Sequence, residues 1–333
     1  MKKILTFLVA TLIAVLVTAC SSSQSKETNV DSDKIDIYTT VYPLSYFAER
    51  IGGDYVNVSS IYPPGSNEHT FEPTQTDMIK LADSDLFLYI GLGLEGFVEN
   101  AKSSLANEQV KFVAVGDNIP EDKLNLSTGH TFEEAISEHA HEHDEHSHDH
   151  EEHDHEHGEF DPHVWLSPSL SQDLALSIKD ELVNAMPEQE QLFNENYDTL
   201  VAELQSLNKE FEQLVSEASS KTFFVSHSSF GYIAGEYGLI QVPIAGLNSQ
   251  SEPSQKELIE IVDLAEDLNV KYILFEQNIS SNLTSVIQNE IGAEALTLHN
   301  LSVLTEEDIA QNETYFTLME RNIETFRTAL NAS

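Results

Sequence analysis

The sequence predicts an α/β protein of two lobes, each with a mainly parallel β-sheet flanked by helices, joined by a long rigid linker helix. Three observations carry that expectation. Short apolar runs alternate with helix-period segments on both sides of the chain's middle, the grammar of parallel sheets covered on both faces. In the middle, residues 188–218 repeat Leu200, Leu204, Leu207, Phe211 and Leu214 at steps of three and four. At 1.5 Å per residue such a helix would reach about 45 Å. Finally, a chain of 333 residues exceeds the size at which one core usually keeps growing.

The first 19 residues read as a signal peptide. Lys2 and Lys3 precede an apolar stretch from Ile4 to Val17, which ends in Thr18-Ala19-Cys20. The stretch is shorter than the roughly 20 residues of a spanning helix. Leu16-Val17-Thr18-Ala19-Cys20 resembles a bacterial lipobox, which makes Cys20 the expected lipidation site and the cell membrane, facing outward, the expected location. Cys20 is the chain's one cysteine, so intrachain disulfides and cysteine zinc ligands are excluded. Residues 20–33 are polar and aperiodic and read as a lipid-anchored tether.

The N-terminal lobe is expected over 34–187. Its strands are Lys34–Val41, Val56–Tyr62, Leu86–Ile90 and Lys111–Val115. Pro43 opens a helix that stops at Gly52-Gly53, and helical patterns near 74–83 and 96–106 separate the later strands. A His- and acid-rich insertion is expected over roughly 117–160, then a helix over 168–186 with Pro168 in its first turn. The linker helix is placed at 188–219 and the C-terminal α/β lobe at 220–333. There Thr222–Val225, Leu239–Ala245, Lys271–Phe275 and Ala295–Leu298 read as strands. Phe230–Tyr237 is a helix closed by Gly238, and the capping box Ser254-Gln255-Lys256-Glu257 opens another to about Leu268. Asn282–Ile291 and about 313–330 complete the helices.

Charge narrows the possible partners. With 57 acidic and 16 basic residues the formal charge is −41, which repels nucleic acid and anionic headgroups and concentrates cations. The run HAHEHDEHSHDHEEHDHEH presents His139, His141, His143, His146, His148, His150, His153, His155 and His157 among carboxylates. With Ala140 its one apolar residue, it has nothing to pack and reads as a mobile loop offering weak auxiliary metal sites.

Outside the insertion lie His69, His163, His227 and His299. His69 sits in the loop PPGSNEHTFEPT after the second strand, His163 in DPHVWLSP before a helix, and His227 directly after a strand. Ligands of open α/β sheets bind just beyond the carboxyl ends of strands. The first three therefore make a candidate metal site, with Glu276, at the end of KYILF, as the expected fourth ligand. Glu68 is the rival donor, a water a third option, and Asp161 a candidate to orient an imidazole through its other nitrogen. Three imidazoles and a carboxylate form a closed zinc set that holds metal, and no HExxH or nucleophile elbow suggests an enzyme.

The blocks PPGSNEHTFEPT, ADSDLFLYIGLGLEGF, DPHVWLSP, SHSSFGYIAGEYGL and SEPSQKELIEIV, in that order, resemble the zinc-binding lipoproteins of bacterial ABC importers, the cluster A-I metal receptors, which include adhesin-like members. The resemblance covers nearly all of the chain after the leader. It implies two lobes with one tight Zn2+ between them, His69 and His163 from the first lobe and His227 from the second, and delivery to an ABC transporter permease. A monomer without nucleic-acid partners is expected. Manganese-preferring members of that family typically carry Glu at the position of His227; many place a ligating Asp just past Glu276, where this chain reads EQNISSNL with Ser280 and Ser281. A manganese receptor of the same architecture and a surface adhesin lipoprotein with structural metal are the alternatives.

Overall fold

In the computed structural model, the described residues are 34–133, 135–136, 160–248, 253–277 and 282–331. Cys20, the tether, the His139–His157 run, Ser280 and Ser281 lie outside them. The eight expected strands form two parallel four-stranded sheets. In the first, β1 (Ile35–Thr39), β2 (Val56–Ser60), β3 (Leu86–Tyr89) and β4 (Lys111–Ala114) take the order β2-β1-β3-β4. In the second, β5 (Thr222–Val225), β6 (Ile240–Pro243), β7 (Tyr272–Glu276) and β8 (Glu294–Leu298) repeat it as β6-β5-β7-β8. In each sheet the strand order reverses beside the first strand, which opens a crevice at the carboxyl edge.

Local chemistry sets the helix ends. Helix α1 (Tyr42–Gly52) starts with Pro43 in its first turn and stops where Gly53 takes φ 55°, a left-handed conformation that favours glycine. Helix α2 (Gln75–Ala82) opens on a Thr74/Asp77 capping box, followed by α3 (Val98–Ser104) and the single turn α4 (Glu121–Leu124). Ser167 caps α5 (Pro168–Ala185). Helix α6 (Glu190–Glu217) has 28 residues, about 42 Å at 1.5 Å per residue. It buries Leu200, Leu204, Leu207, Phe211 and Leu214, the stripe read from the sequence, and Phe193 ahead of them. Then come α7 (Gly231–Tyr237), α8 (Gln255–Asp267) with its Ser254/Glu257 box, and α9 (Asn282–Ile291). The six-residue α10 (Glu306–Gln311), boxed by Thr305 and Asp308, has too short an apolar period to stand out in the sequence. Helix α11 (Tyr315–Ala329) ends the fold. No described helix is long and apolar enough to cross a membrane.

The α6 stripe ties the two sheets together. Ile37 and Phe87 from the first sheet and Phe223, Val225 and Leu274 from the second share one buried core with Leu200, Leu204 and Phe211. The opposite face of the second sheet has its own core, in which Phe224, Val242 and Ile273 meet Ile261 and Ile287.

Phe132 and Ala135 belong to that second core, although their segment follows the first sheet. The sequence places them inside the polar insertion, whereas 117–133 is ordered and buries Ile119, Leu124 and Phe132. This strap crosses α7 so closely that glycine is required there. A Cβ on Gly235 would stand 1.6 Å from the Leu126 carbonyl oxygen, and one on Gly231 would stand 2.1 Å from Ser127 Oγ. Ser228 Oγ and Gln241 Nε2 both donate to the Gly129 carbonyl.

Candidate metal centre

The three candidate histidines converge, His69 from the loop after β2, His163 ahead of α5 and His227 just past β5. His69 is held in its turn by Asn67, whose Oδ1 accepts from the His69 amide at 2.9 Å. His163 precedes a 3-10 turn, Val164–Leu166, and is fully buried. His227 follows β5 by two residues and is also fully buried. One ligand atom from each ring lies within 4.8 Å of the other two. Nε2 of His69 and Nε2 of His163 stand 3.3 Å apart. Tetrahedral zinc with Zn–N bonds of about 2.0–2.1 Å separates neighbouring nitrogens by about 3.3–3.4 Å, so this pair already has the required spacing.

Carboxylates stand behind two of the rings. Asp161 Oδ1 accepts from Nδ1 of His163 at 2.7 Å and from its backbone amide at 2.9 Å, which leaves Nε2 to face the centre. Both oxygens of Glu276 lie 3.2 Å from Nδ1 of His227. Nε2 of His227 is 2.9 Å from the Leu247 carbonyl oxygen, a contact the ring must give up to bind metal through that atom. Neither Glu276 nor Glu68 falls in the mutually close group, so each must turn to coordinate. Glu68 is nonetheless buried beside it, and its Oε2 has no hydrogen-bond partner.

The electrostatics divide the rings. Burial, reinforced by His163 and His227, pushes the His69 imidazole down to about 2, so it is neutral. Burial alone would lower His227 too, but the Glu276 carboxylate outweighs it and, with the Leu247 carbonyl and Glu68, raises it to about 9. A protonated His227 thus places a cation where a metal would sit. Burial would raise Asp161, yet His163, His130 and Ser127 hold it below the usual carboxylate range. Burial raises Glu68. A cleft of about 240 Å³ reaches His69 between Leu92, Leu94, Phe160, Pro162 and Leu247.

The fourth non-insertion histidine is elsewhere. His299 accepts from the Leu301 amide at Nδ1 and donates from Nε2 to Asp308 at 3.1 Å, which uses both nitrogens. Asn300, which the sequence reading passed over, lies under the centre: its Nδ2 donates to Glu68 Oε1 and to Glu276 Oε2, each at 3.1 Å. Its position two residues past β8, at the same sheet edge as His227 and Glu276, is the signal that could have found it.

Comparison with known proteins fits this geometry. The family described as ZnuA, zinc-uptake complex component A periplasmic, matches residues 37–329. The zinc-binding protein AdcA of Streptococcus pyogenes serotype M3 is 36% identical over 326 residues, 98% of this chain and 61% of AdcA. The chain therefore spans about 61% of the length of the streptococcal curated relatives it matches. The high-affinity zinc uptake system protein ZnuA of Bacillus subtilis is 36% identical over 316 residues, 95% of this chain and 94% of that one. Among solved structures, the Zn(II)-bound ZnuA-like domain of Streptococcus pneumoniae AdcA aligns with a TM-score of 0.70 at 30% identity, covering 90% of this chain and 99% of that domain.

Proposed function

The chain belongs to the ZnuA family of zinc-uptake components, and from that premise we propose that it is an extracytoplasmic zinc receptor for import. The carrying observation is the three-imidazole cluster of His69, His163 and His227. Imidazole nitrogens suit zinc, whereas manganese prefers oxygen donors. A site with two rings backed by carboxylates is built to hold an ion, and the family is one of substrate-binding receptors.

In this reading Zn2+ is cargo. It enters by the cleft at His69, displaces the proton on His227, and is held by three imidazoles and one carboxylate. Glu276 is the proposed fourth ligand, as the sequence suggested. The unpartnered Oε2 of Glu68 supports Glu68 as the alternative oxygen donor. A lipid on Cys20 anchors the protein outside the membrane as a monomer, and an ABC permease receives the zinc. The insertion histidines 139–157 bind further zinc weakly.

The test is zinc stoichiometry and affinity of the 21–333 protein, with alanine at His69, His163 and His227 and with 139–157 deleted. One tight zinc that survives the deletion and is lost with the three alanines supports the receptor. Tight zinc lost with the deletion alone would make the His-rich run the binder and overturn it. Glu276→Ala and Glu68→Ala then identify the fourth ligand by which of them weakens zinc more.

A further inference from the structure

Two buried carboxylates of like charge lie beneath the imidazoles, and one side chain joins them. Asn300 is fully buried. Its Nδ2 carries two protons and faces two acceptors, Glu68 Oε1 and Glu276 Oε2. Its Oδ1 faces three donors: Gln277 Nε2 at 3.1 Å, the Ser302 amide at 3.1 Å and Ser302 Oγ at 2.8 Å. The amide therefore has one orientation, because a flip would set its oxygen against both carboxylates and its nitrogen against three donors.

The same residue is tied to the other site segments by its backbone. Its carbonyl accepts from Trp165 Nε1 at 2.7 Å, two residues past His163, and its amide donates to Gln277 Oε1 at 3.1 Å, one residue past Glu276. The turn is held further by the Leu301 amide on His299 Nδ1 and by Leu301 at φ 57°. The stretches bearing Glu68, Trp165 and Glu276 thus all meet at Asn300, the glutamates at its side-chain amide and the tryptophan at its backbone carbonyl.

We propose that Asn300 is a positioning residue that sets metal selectivity: by holding Glu68 and Glu276 on one shared donor, it limits how many carboxylate oxygens reach the cation. This rests on the zinc-receptor reading and deepens it. With the shared donor present, each carboxylate has one oxygen committed to Asn300, which leaves each at most its other oxygen for the cation. With the donor removed, the two anions repel, and a carboxylate swings up to the cation. An extra oxygen and a higher coordination number favour manganese over zinc.

Asn300→Asp keeps the shape and the oxygen that serves Gln277 and Ser302 but replaces the shared donor by a third acidic group, and Asn300→Leu, which removes the donor without adding charge, controls for that charge. The full receptor is titrated with zinc and with manganese, and its cobalt(II) form is read by visible absorption. The zinc-to-manganese affinity ratio is expected to fall at least about tenfold, the scale for loss of a group supporting metal ligands. The intense tetrahedral cobalt bands are expected to weaken. Asn300→Ser, whose hydroxyl can serve one carboxylate, gives an intermediate ratio and carries the test if the aspartate variant does not fold. Glu68→Gln combined with Asn300→Asp shows non-additivity if Asn300 acts through the carboxylates. A folded variant with unchanged ratio and cobalt spectrum overturns the proposal. A wild-type protein that binds no zinc tightly overturns the receptor reading, and this inference with it.

Discussion

Replacing Asp161 by alanine separates support of a ligand from coordination. The Asp161 carboxylate is buried and accepts from the His163 amide, from His163 Nδ1 and from Ser127 Oγ. Both of its oxygens are occupied by these donors, Oδ1 by His163 and Oδ2 by Ser127, so it acts behind the ring rather than as a ligand. What is lost is the charge-assisted contact that fixes the ring's tautomer and direction. Such a bond contributes about 1.5–3 kcal/mol, and about 1.4 kcal/mol is a factor of ten, so zinc affinity should fall about ten- to hundredfold. The substitution also strands buried donors, each at about 1–3 kcal/mol, so the apo protein should melt earlier. Competition against a chromophoric chelator, well below the apo melting temperature, measures the affinity. Affinity within about twofold of wild type, in a folded variant, would refute the claim that Asp161 presents His163 to the metal.

Three further outcomes follow from the same geometry. His227 is raised from 6.5 to about 9, so at pH 7 it carries a proton that zinc must expel. The protonated ring stabilises the apo fold fully below about pH 6.5 and loses that effect as pH rises through about 9, while zinc affinity strengthens over the same rise. Calorimetry in buffers of differing ionisation enthalpy should show about one proton released per zinc at pH 7; zero release would mean that His227 is already neutral. Gly235→Ala places a methyl 1.6 Å from the Leu126 carbonyl oxygen, and an overpacking loss of about 1–3 kcal/mol should appear in urea unfolding. Leu204→Ala, in the buried stripe of α6, should cost about 2–5 kcal/mol, and a loss below about 1 kcal/mol would mean that the helix is not packed against both sheets.

Much of the fold was legible because its signals are local. Strand ends fell within a few residues, and the Ser254/Glu257 box and the Leu200–Leu214 stripe came straight from residue spacing. Where the reading differed, long-range packing decided. Phe132 and Ala135 sit in a polar context next to the His-rich run, yet they are buried because the second sheet supplies an apolar face for them. Helix α10 is six residues long and leaves no periodic trace. Within the three-histidine cluster, His69, His163 and His227 were identifiable as candidates because few histidines remain once the insertion is set aside. Asn300 was not, because an asparagine after a strand is usually a turn residue, and nothing in the sequence says that two glutamates will lie within reach of its amide.

The sequence by itself determined the eight strands, the long helix, the acidic charge and the three histidines, since periodicity, composition and strand-end position are properties of neighbouring residues. Only the tertiary structure decided how those residues relate across the chain. It set the Nε2 atoms of His69 and His163 3.3 Å apart, put Asp161 and Glu276 behind rings rather than between them, and joined Glu68 to Glu276 through Asn300. These are distances between groups as many as 232 positions apart in the chain. Their values come from how two sheets and one helix pack, which no local pattern encodes.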